Sequence, residues 1–276
     1  MRTYVLPVLG PLNVADIETA HIEKVLAPIW GKIPETASRV QNRIKLVLAY
    51  AIAGGFRSTD NPAARDLVKA RLGKIQRTNG HHAALPFVEA PAFTAELRAR
   101  DSVSARALEF TILTASRTGE TIGALWSEID LKKREWVIPA ERMKADREHR
   151  VPLSDRAIEI LKSLPHSGKH VFINGHKRPL SNMAMAELLK GMSPGHTVHG
   201  MRSMFRDWAA ERTNYPEPVV EMALAHKVKD AVIAAYKRTD LFDRRLRLMK
   251  QWGDFLAKPV KTGEVHYLKA ERARRA

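Results

Sequence analysis

Residues 112–120 read Ile112-Leu113-Thr114-Ala115-Ser116-Arg117-Thr118-Gly119-Glu120. A helical apolar pattern runs into this stretch: over about 102–116 it sets Leu108, Ile112 and Ala115 on one inward side. Arg-Thr-Gly-Glu then combines a hydroxyl, a glycine and opposite charges, the chemistry of a turn closed by an ion pair. Taken alone that is an ordinary structural feature. Downstream, residues 129–153 have hairpin character: Trp136-Val137-Ile138-Pro139, a charged turn, then His149-Arg150-Val151-Pro152-Leu153. Ser154 is placed to cap a helix to about 164, and Val171-Phe172-Ile173 reads as a short strand. A helical pattern then continues to Trp252. The block from residue 93 onward is therefore mixed, helices with a small antiparallel sheet.

Upstream the pattern is helical throughout residues 12–80. Thr19 is a candidate cap for a segment with Ile22, Val25, Leu26 and Ile29 at helical spacing. Pro34 suits a first turn, after which Val40, Ile44, Val47, Leu48 and Ala51 form one stripe, ended by Gly54-Gly55. The opposite side of that helix carries Ser38, Arg39, Gln41, Asn42, Arg43 and Lys45. Asn61-Pro62 reads as the opening of a further helix that stops near Gly73. Residues 75–92, with Gly80, Pro86 and Pro91, have linker chemistry, and adjacent His81 and His82 would diverge on any regular element rather than share a metal. The domains expected are 1–80, a linker at 81–92, 93–256, and a basic tail at 257–276 with six basic residues against two acidic ones.

The whole chain has 276 residues, 46 basic against 30 acidic side chains, and a net charge of +16. That length suits two domains. With 8 Phe, 5 Tyr and 5 Trp it is too rich in aromatics for a disordered chain. The absence of cysteine excludes disulfides, thiolate metal sites and cysteine nucleophiles. No stretch approaches the roughly 18 apolar residues of a membrane span, and no secretory signal is visible, so a cytoplasmic address fits. A folded chain this basic points to a polyanion, nucleic acid ahead of an anionic membrane. The Arg39/Arg43/Lys45 face is open to two readings: a solvated helix surface, or a surface for phosphates and base edges.

A glycine-rich phosphate loop ending in Gly-Lys-Ser/Thr does not occur, which argues against an NTP-driven motor. The Asp, Glu and His residues show no obvious metal-ligand spacing, so a metal-dependent nuclease is disfavoured. What remains is a scattered set: Arg117, Lys144 within Arg142-Met143-Lys144, His199-Gly200-Met201-Arg202 opening a helix, His226 after Leu224-Ala225, and Tyr236. His199 and Arg202, three apart, share a helix face. Each has a plain structural explanation by itself. Their order does not.

Together these residues resemble the tyrosine recombinase (phage integrase) family, whose signature runs Arg, Lys, His-x-x-Arg, His or Trp, Tyr. Ile112 to Glu120, Trp126-Ser127-Glu128-Ile129-Asp130, Arg142-Met143-Lys144 and His149 to Ser154 are similar to the P4-like, genomic-island branch. Pro28-Ile29-Trp30 and Pro34-Glu35-Thr36-Ala37 match that branch's core-DNA-binding domain. The likeness extends from about residue 4 to 256.

The resemblance implies a fold that is mainly α with a small antiparallel β-sheet. A helical core-DNA-binding domain is joined to a mixed α+β catalytic domain. It implies a site-specific recombinase that cuts and rejoins DNA through a 3′-phosphotyrosyl link, with Tyr236 as nucleophile and neither ATP nor metal. Arg117 and Arg202 would bind the phosphate oxygens as rigid forks, and His226 would add a hydrogen bond. A tyrosine with pKa near about 10 is ionised about one part in a thousand at neutral pH, a gap of roughly 4 kcal/mol. It needs a base, for which His199 is the candidate, while Lys144 would protonate the leaving 5′-oxygen. Glu120 would orient its neighbours, and Ser38, Arg39, Asn42, Arg43 and Lys45 would contact DNA. Four protomers acting on two duplexes are implied, with room for accessory DNA-bending or directionality proteins, in a bacterial cytoplasm. Met1 falls near the end of the family's first core-binding helix, so an arm-binding domain is expected to be missing. A type IB topoisomerase-like relaxase and a DNA-binding remnant are the alternatives.

Overall fold

The computed structural model describes residues 1–75, 83–226 and 240–258. The chain divides into two compact units, Met1–Gly80 and His81–Ala276. Gly80, His81 and His82, Tyr236 and most of the basic tail lie outside the described residues.

The first unit is helical: α1 (Leu6–Leu9), α2 (Thr19–Trp30), α3 (Pro34–Ala53) and α4 (Arg65–Leu72), with α2 packed on both α3 and α4. Thr19 is the first helical residue of α2 rather than its cap. Glu18 is still extended and takes the capping position in a reciprocal box with His21. On α3, Val40, Ile44, Leu48 and Ala51 are buried, but Val47 is 56% exposed. Val47 stands at one border of the buried arc, and Gln41 fills the other because its amide donates to the Ala63 carbonyl at 3.2 Å. Gln41 therefore leaves the polar face on which the sequence places it. Asn61 shapes a turn, accepting from the Ala63 amide at 3.0 Å and donating to the Lys45 carbonyl at 2.8 Å. That delays α4 to Arg65, and Gly73, at φ +76°, ends it. Buried Arg57 ties the unit's first segment down by donating to the carbonyls of Val14, Ala15 and Asp60.

The second unit comprises α5 (Ala90–Arg98), α6 (Val103–Thr114), α7 (Thr118–Ile122), β1 (Ile129–Asp130), β2 (Glu135–Ile138), β3 (His149–Pro152), α8 (Asp155–Ser163), α9 (Ala184–Met192), α10 (Gly200–Arg212), α11 (Glu217–Ala223) and α12 (Phe242–Leu256). The fold is mainly helical, and the described residues hold one antiparallel sheet of order β1-β2-β3. Trp136 pairs with Ile129 and Val151, and Ile138 with His149, so the hairpin gains a third, two-residue strand. Helix α6 is almost wholly buried, packing on α5, α7, α8, α9, α10 and α12. Phe110 meets Trp136 and Phe172, while Phe205, Trp208, Trp252 and Phe255 form a second aromatic cluster. The Trp252 indole donates to the Ile112 carbonyl at 2.8 Å, pinning α12 to the helix that leads into the site.

Two sequence readings change here. Val171-Phe172-Ile173 is buried but makes only isolated bridges, His170 with Leu125 and Ile173 with Pro179; its apolar run serves the core without a strand partner. The linker also ends earlier than expected: Leu85 and Phe87 are buried in the second unit's core, and Pro91 occupies the first turn of α5.

Candidate active site

The site begins where α6 ends. Ala115 adopts a left-handed conformation, φ +49°, and turns the chain out of the helix. A buried chain of hydroxyls holds that turn: Thr111 to Thr121, Thr121 to Ser116, and Ser116 to Thr114, each 2.8 Å. Arg117 is thereby presented in extended backbone at the cap of α7, and Glu120 closes the turn upon it. One Glu120 oxygen accepts the Arg117 amide at 2.8 Å and the other its guanidinium at 2.6 Å. The turn and ion pair read from Arg-Thr-Gly-Glu are both present.

Helix α10 supplies the second arginine. Thr197 accepts the Gly200 amide at 2.9 Å, His199 stands at the residue before the helix, and Arg202 points inward. A Cβ at Gly200 would sit 2.2 Å from the Ala83 carbonyl oxygen, so only glycine admits the segment that crosses there. His199 and Arg202 do not share an environment: His199 is exposed and Arg202 is buried. Arg202 donates to the Ala115 carbonyl, to the Leu224 carbonyl at 2.5 Å, and meets His226 Nε2 at 3.2 Å. Arg117 reaches the same segment, donating to the Ala225 carbonyl at 3.3 Å. Ala225 is also left-handed, φ +49°. Two non-glycine residues in strained backbone, each with its carbonyl bonded by an arginine, mark this corner as over-determined. Burial first, and the Arg117 charge second, push the Arg202 guanidinium down to about 10, so it stays cationic at neutral pH. His226 Nδ1 lies 2.8 Å from Glu221 Oε2.

Lys144 sits on the exposed turn between β2 and β3. The turn is fixed to the arginine corner through Arg142, which pairs with Glu128 and donates to the Glu120 carbonyl at 2.8 Å. Glu128 also accepts the Trp136 indole N–H at 3.0 Å, so the Trp126-Ser127-Glu128 and Arg142-Met143-Lys144 motifs meet in space. The structure thus brings together Arg117, Glu120, Arg202 and His226, leaves Lys144 on a tethered turn, and does not describe Tyr236. In the helical unit, Arg39, Asn42, Arg43 and Lys45 are exposed on α3 and Ser38 is partly buried; Arg39 is engaged by Glu35 at 2.9 Å.

Reasoning from sequence missed three participants. Arg142 and His149 lie inside the family-like motifs but had no assigned part, and Glu221 gave no signal beyond its place five residues before His226. The His149 imidazole is pushed down to about 4, chiefly by burial and then by the charge of Arg245, with Arg117 and Arg202 adding and Glu120 opposing. It is neutral at pH 7. Buried Arg245 is itself anchored to Asp240 at 2.9 Å and to the Arg150 carbonyl at 2.5 Å.

Residues 85–241 match the phage integrase family, and residues 1–67 match the phage integrase central domain. The chain belongs to the phage integrase family. The chain is 32% identical over 274 residues to prophage integrase IntA of Escherichia coli K12, an alignment covering 95% of this chain and 64% of IntA. It is 30% identical to the integrase of Enterobacteria phage P4, covering 93% of this chain and 63% of that one. It therefore spans less than two thirds of either relative's length. The fold is shared with lambda integrase crystallised as a dimer on a COC′ core site, at a TM-score of 0.60 and 18% identity over 82% of this chain and 84% of that one. The Tn1549 transposon integrase in complex with circular intermediate DNA matches at 0.58 and 13% identity, covering 87% of each chain. Among the described residues, no helix is long and apolar enough to cross a membrane.

Proposed function

We propose that this integrase cuts and rejoins DNA strands at specific sites, integrating or excising a mobile element. The observation that carries the reading is the convergence of Arg117 and Arg202 on one corner, beside His226. The charge of Arg117 adds to the cost of keeping buried Arg202 charged, and an anion bound between the two guanidinium groups relieves that cost. A phosphodiester is such an anion, and it gains charge on its oxygens as it is attacked. Forks held in place by carbonyl oxygens keep several N–H donors close to where that charge develops.

In the proposed reaction the Tyr236 hydroxyl oxygen attacks phosphorus, forming a 3′-phosphotyrosyl bond as the bond from phosphorus to the 5′-oxygen breaks. The tyrosine proton passes to His199, and Lys144 gives a proton to the departing 5′-oxygen. The tethered turn that carries Lys144 suits a group that approaches with substrate, and Arg142 keeps that turn in register with Glu120. The phosphodiester energy is kept in the covalent link, so the strand can be resealed to another partner. Ser38, Arg39, Asn42, Arg43 and Lys45 on α3 supply contacts to the duplex from the helical unit. Lambda integrase is also known as a tetramer bound to a Holliday junction; self-association of this integrase on DNA is proposed by that likeness.

The test is covalent trapping on a nicked duplex carrying the element's attachment junction. Wild type should form an SDS-stable adduct and Tyr236→Phe should form none while still binding DNA. An adduct that survives in the Phe variant removes Tyr236 as nucleophile. No adduct from wild type, with DNA binding intact, leaves a DNA-binding protein. A two-site assay then separates strand exchange from simple relaxation.

A further inference from the structure

His226 stands between two partners that leave its ring one arrangement. An ionised Glu221 only accepts, so Nδ1, 2.8 Å away, carries the hydrogen. A guanidinium only donates, so Nε2, 3.2 Å from Arg202 Nη2, carries a lone pair. In this state the ring is neutral, and Nε2 cannot donate to a phosphate oxygen. The proposed strand-transfer chemistry requires that it donate, and the exchange inferred for this ring rests on that reading of the site.

We infer that Glu221 is a positioning residue for a proton-coupled exchange: when a phosphate enters, His226 Nε2 takes up one proton, its bond with Arg202 breaks, and both groups turn their N–H bonds to the anion. Glu221 holds the ring by Nδ1 throughout and supplies the counter-charge that the imidazolium needs. The geometry supports the exchange from both sides. Arg202 Nε is buried without a partner among the described residues, so this guanidinium has donor capacity unspent. His226 is half-exposed, at 39% of its side chain, so a proton can reach Nε2 from solvent.

The charged groups around the ring come from each element that packs there. Arg202 and Arg206 stand on α10, Glu221 and Glu217 on α11, and Arg117 with Glu120 at the start of α7. Arg206 matters most after Glu221, because its Nε lies 3.0 Å from Glu221 Oε1 and its Nη2 lies 3.2 Å from Glu217. It competes with the ring for the Glu221 charge. Removing Glu221's charge and removing Arg206's charge should therefore act in opposite directions, which a general loss of folding cannot imitate.

The experiment has two arms on the full chain. In the first, the His226 ring is titrated by nitrogen NMR without DNA. Glu221→Gln, which keeps an acceptor oxygen but loses the charge, should lower the ring's titration midpoint by about one pH unit, and Arg206→Gln should raise it. Equal midpoints in wild type and Glu221→Gln overturn the inference, whether or not the chain cleaves DNA. In the second arm, single-turnover adduct formation on the nicked duplex is followed across about pH 5.5–9. The alkaline fall in rate should move to lower pH in Glu221→Gln and to higher pH in Arg206→Gln. A Glu221→Gln rate reduced equally at every pH would assign Glu221 a purely structural part and sink the exchange. If wild type forms no adduct while the NMR arm behaves as stated, the recombinase reading fails and the Glu221–His226 coupling stands.

Discussion

The arginines of the 115–226 corner and those of the α3 face carry the same charge in opposite settings. Arg202 is buried, each of its terminal nitrogens is bonded, and its guanidinium is pushed down to about 10. Arg39 is 71% exposed and pairs with Glu35, itself 65% exposed, one helical turn away. Burial makes the first group expensive to hold and therefore specific: it persists because carbonyls of Ala115 and Leu224 fix it in one place. Exposure makes the second group cheap and diffuse, since water and salt screen it and its side chain is free to move. A charge meant to stabilise a transition state gains from the first setting, and a charge meant to gather a polyanion gains from the second.

The contrast can be broken most directly at Arg202. Arg202→Lys keeps the charge but loses the fork, and single-turnover cleavage should fall by about a hundred- to a thousandfold with little change in DNA affinity. Near-normal cleavage would show that geometry at this position does not matter. The next effect is on stability. His149 is held neutral beside these arginines at a value depressed from 6.5 to about 4. The unfolded chain therefore binds the proton first, and stability present above about pH 6.5 is lost as pH falls toward 4, by about 3 kcal/mol at most. Denaturant midpoints at about pH 7 and pH 5 should diverge in wild type and converge in His149→Asn; equal acid sensitivity would mean His149 is not the group responsible.

A smaller loss is expected at Gly200→Ala, about 1–3 kcal/mol, because the new methyl group meets the Ala83 carbonyl. Thermal unfolding would register it, and an unchanged midpoint would show that the crossing segment yields freely. The smallest change belongs to the exposed face. Arg43→Gln should weaken DNA binding by less than about tenfold and lower the salt slope by about one, leaving cleavage at saturating protein unchanged. A loss of cleavage rate instead would place α3 in the chemistry and remove the distinction between the two regions.

The site was readable in sequence to the extent that its chemistry is local. Arg117 with Glu120, and the cap at Ser154, are fixed within a few residues of backbone, so turn and capping rules reach them. The order of Arg117, Lys144, His199, Arg202, His226 and Tyr236 was visible as a family likeness. Val47 and Gln41 show where locality ends. Both border the buried arc of α3, and a hydrogen bond to a carbonyl 22 residues away decides which one is covered.

Sequence alone determined the mainly helical class, the excess of positive charge, the hairpin between Trp136 and Leu153, and the turn and ion pair of Arg117 and Glu120. Periodicity, turn chemistry and net charge are properties of neighbouring residues and survive without knowledge of the fold. Only the tertiary structure decided that Arg202 bonds a carbonyl 87 residues earlier, that His149 is neutral, and that Glu221 and Arg202 divide the two nitrogens of His226. Those outcomes depend on which groups lose water and which charges face them at close range, and both are set by chain crossings far apart in sequence.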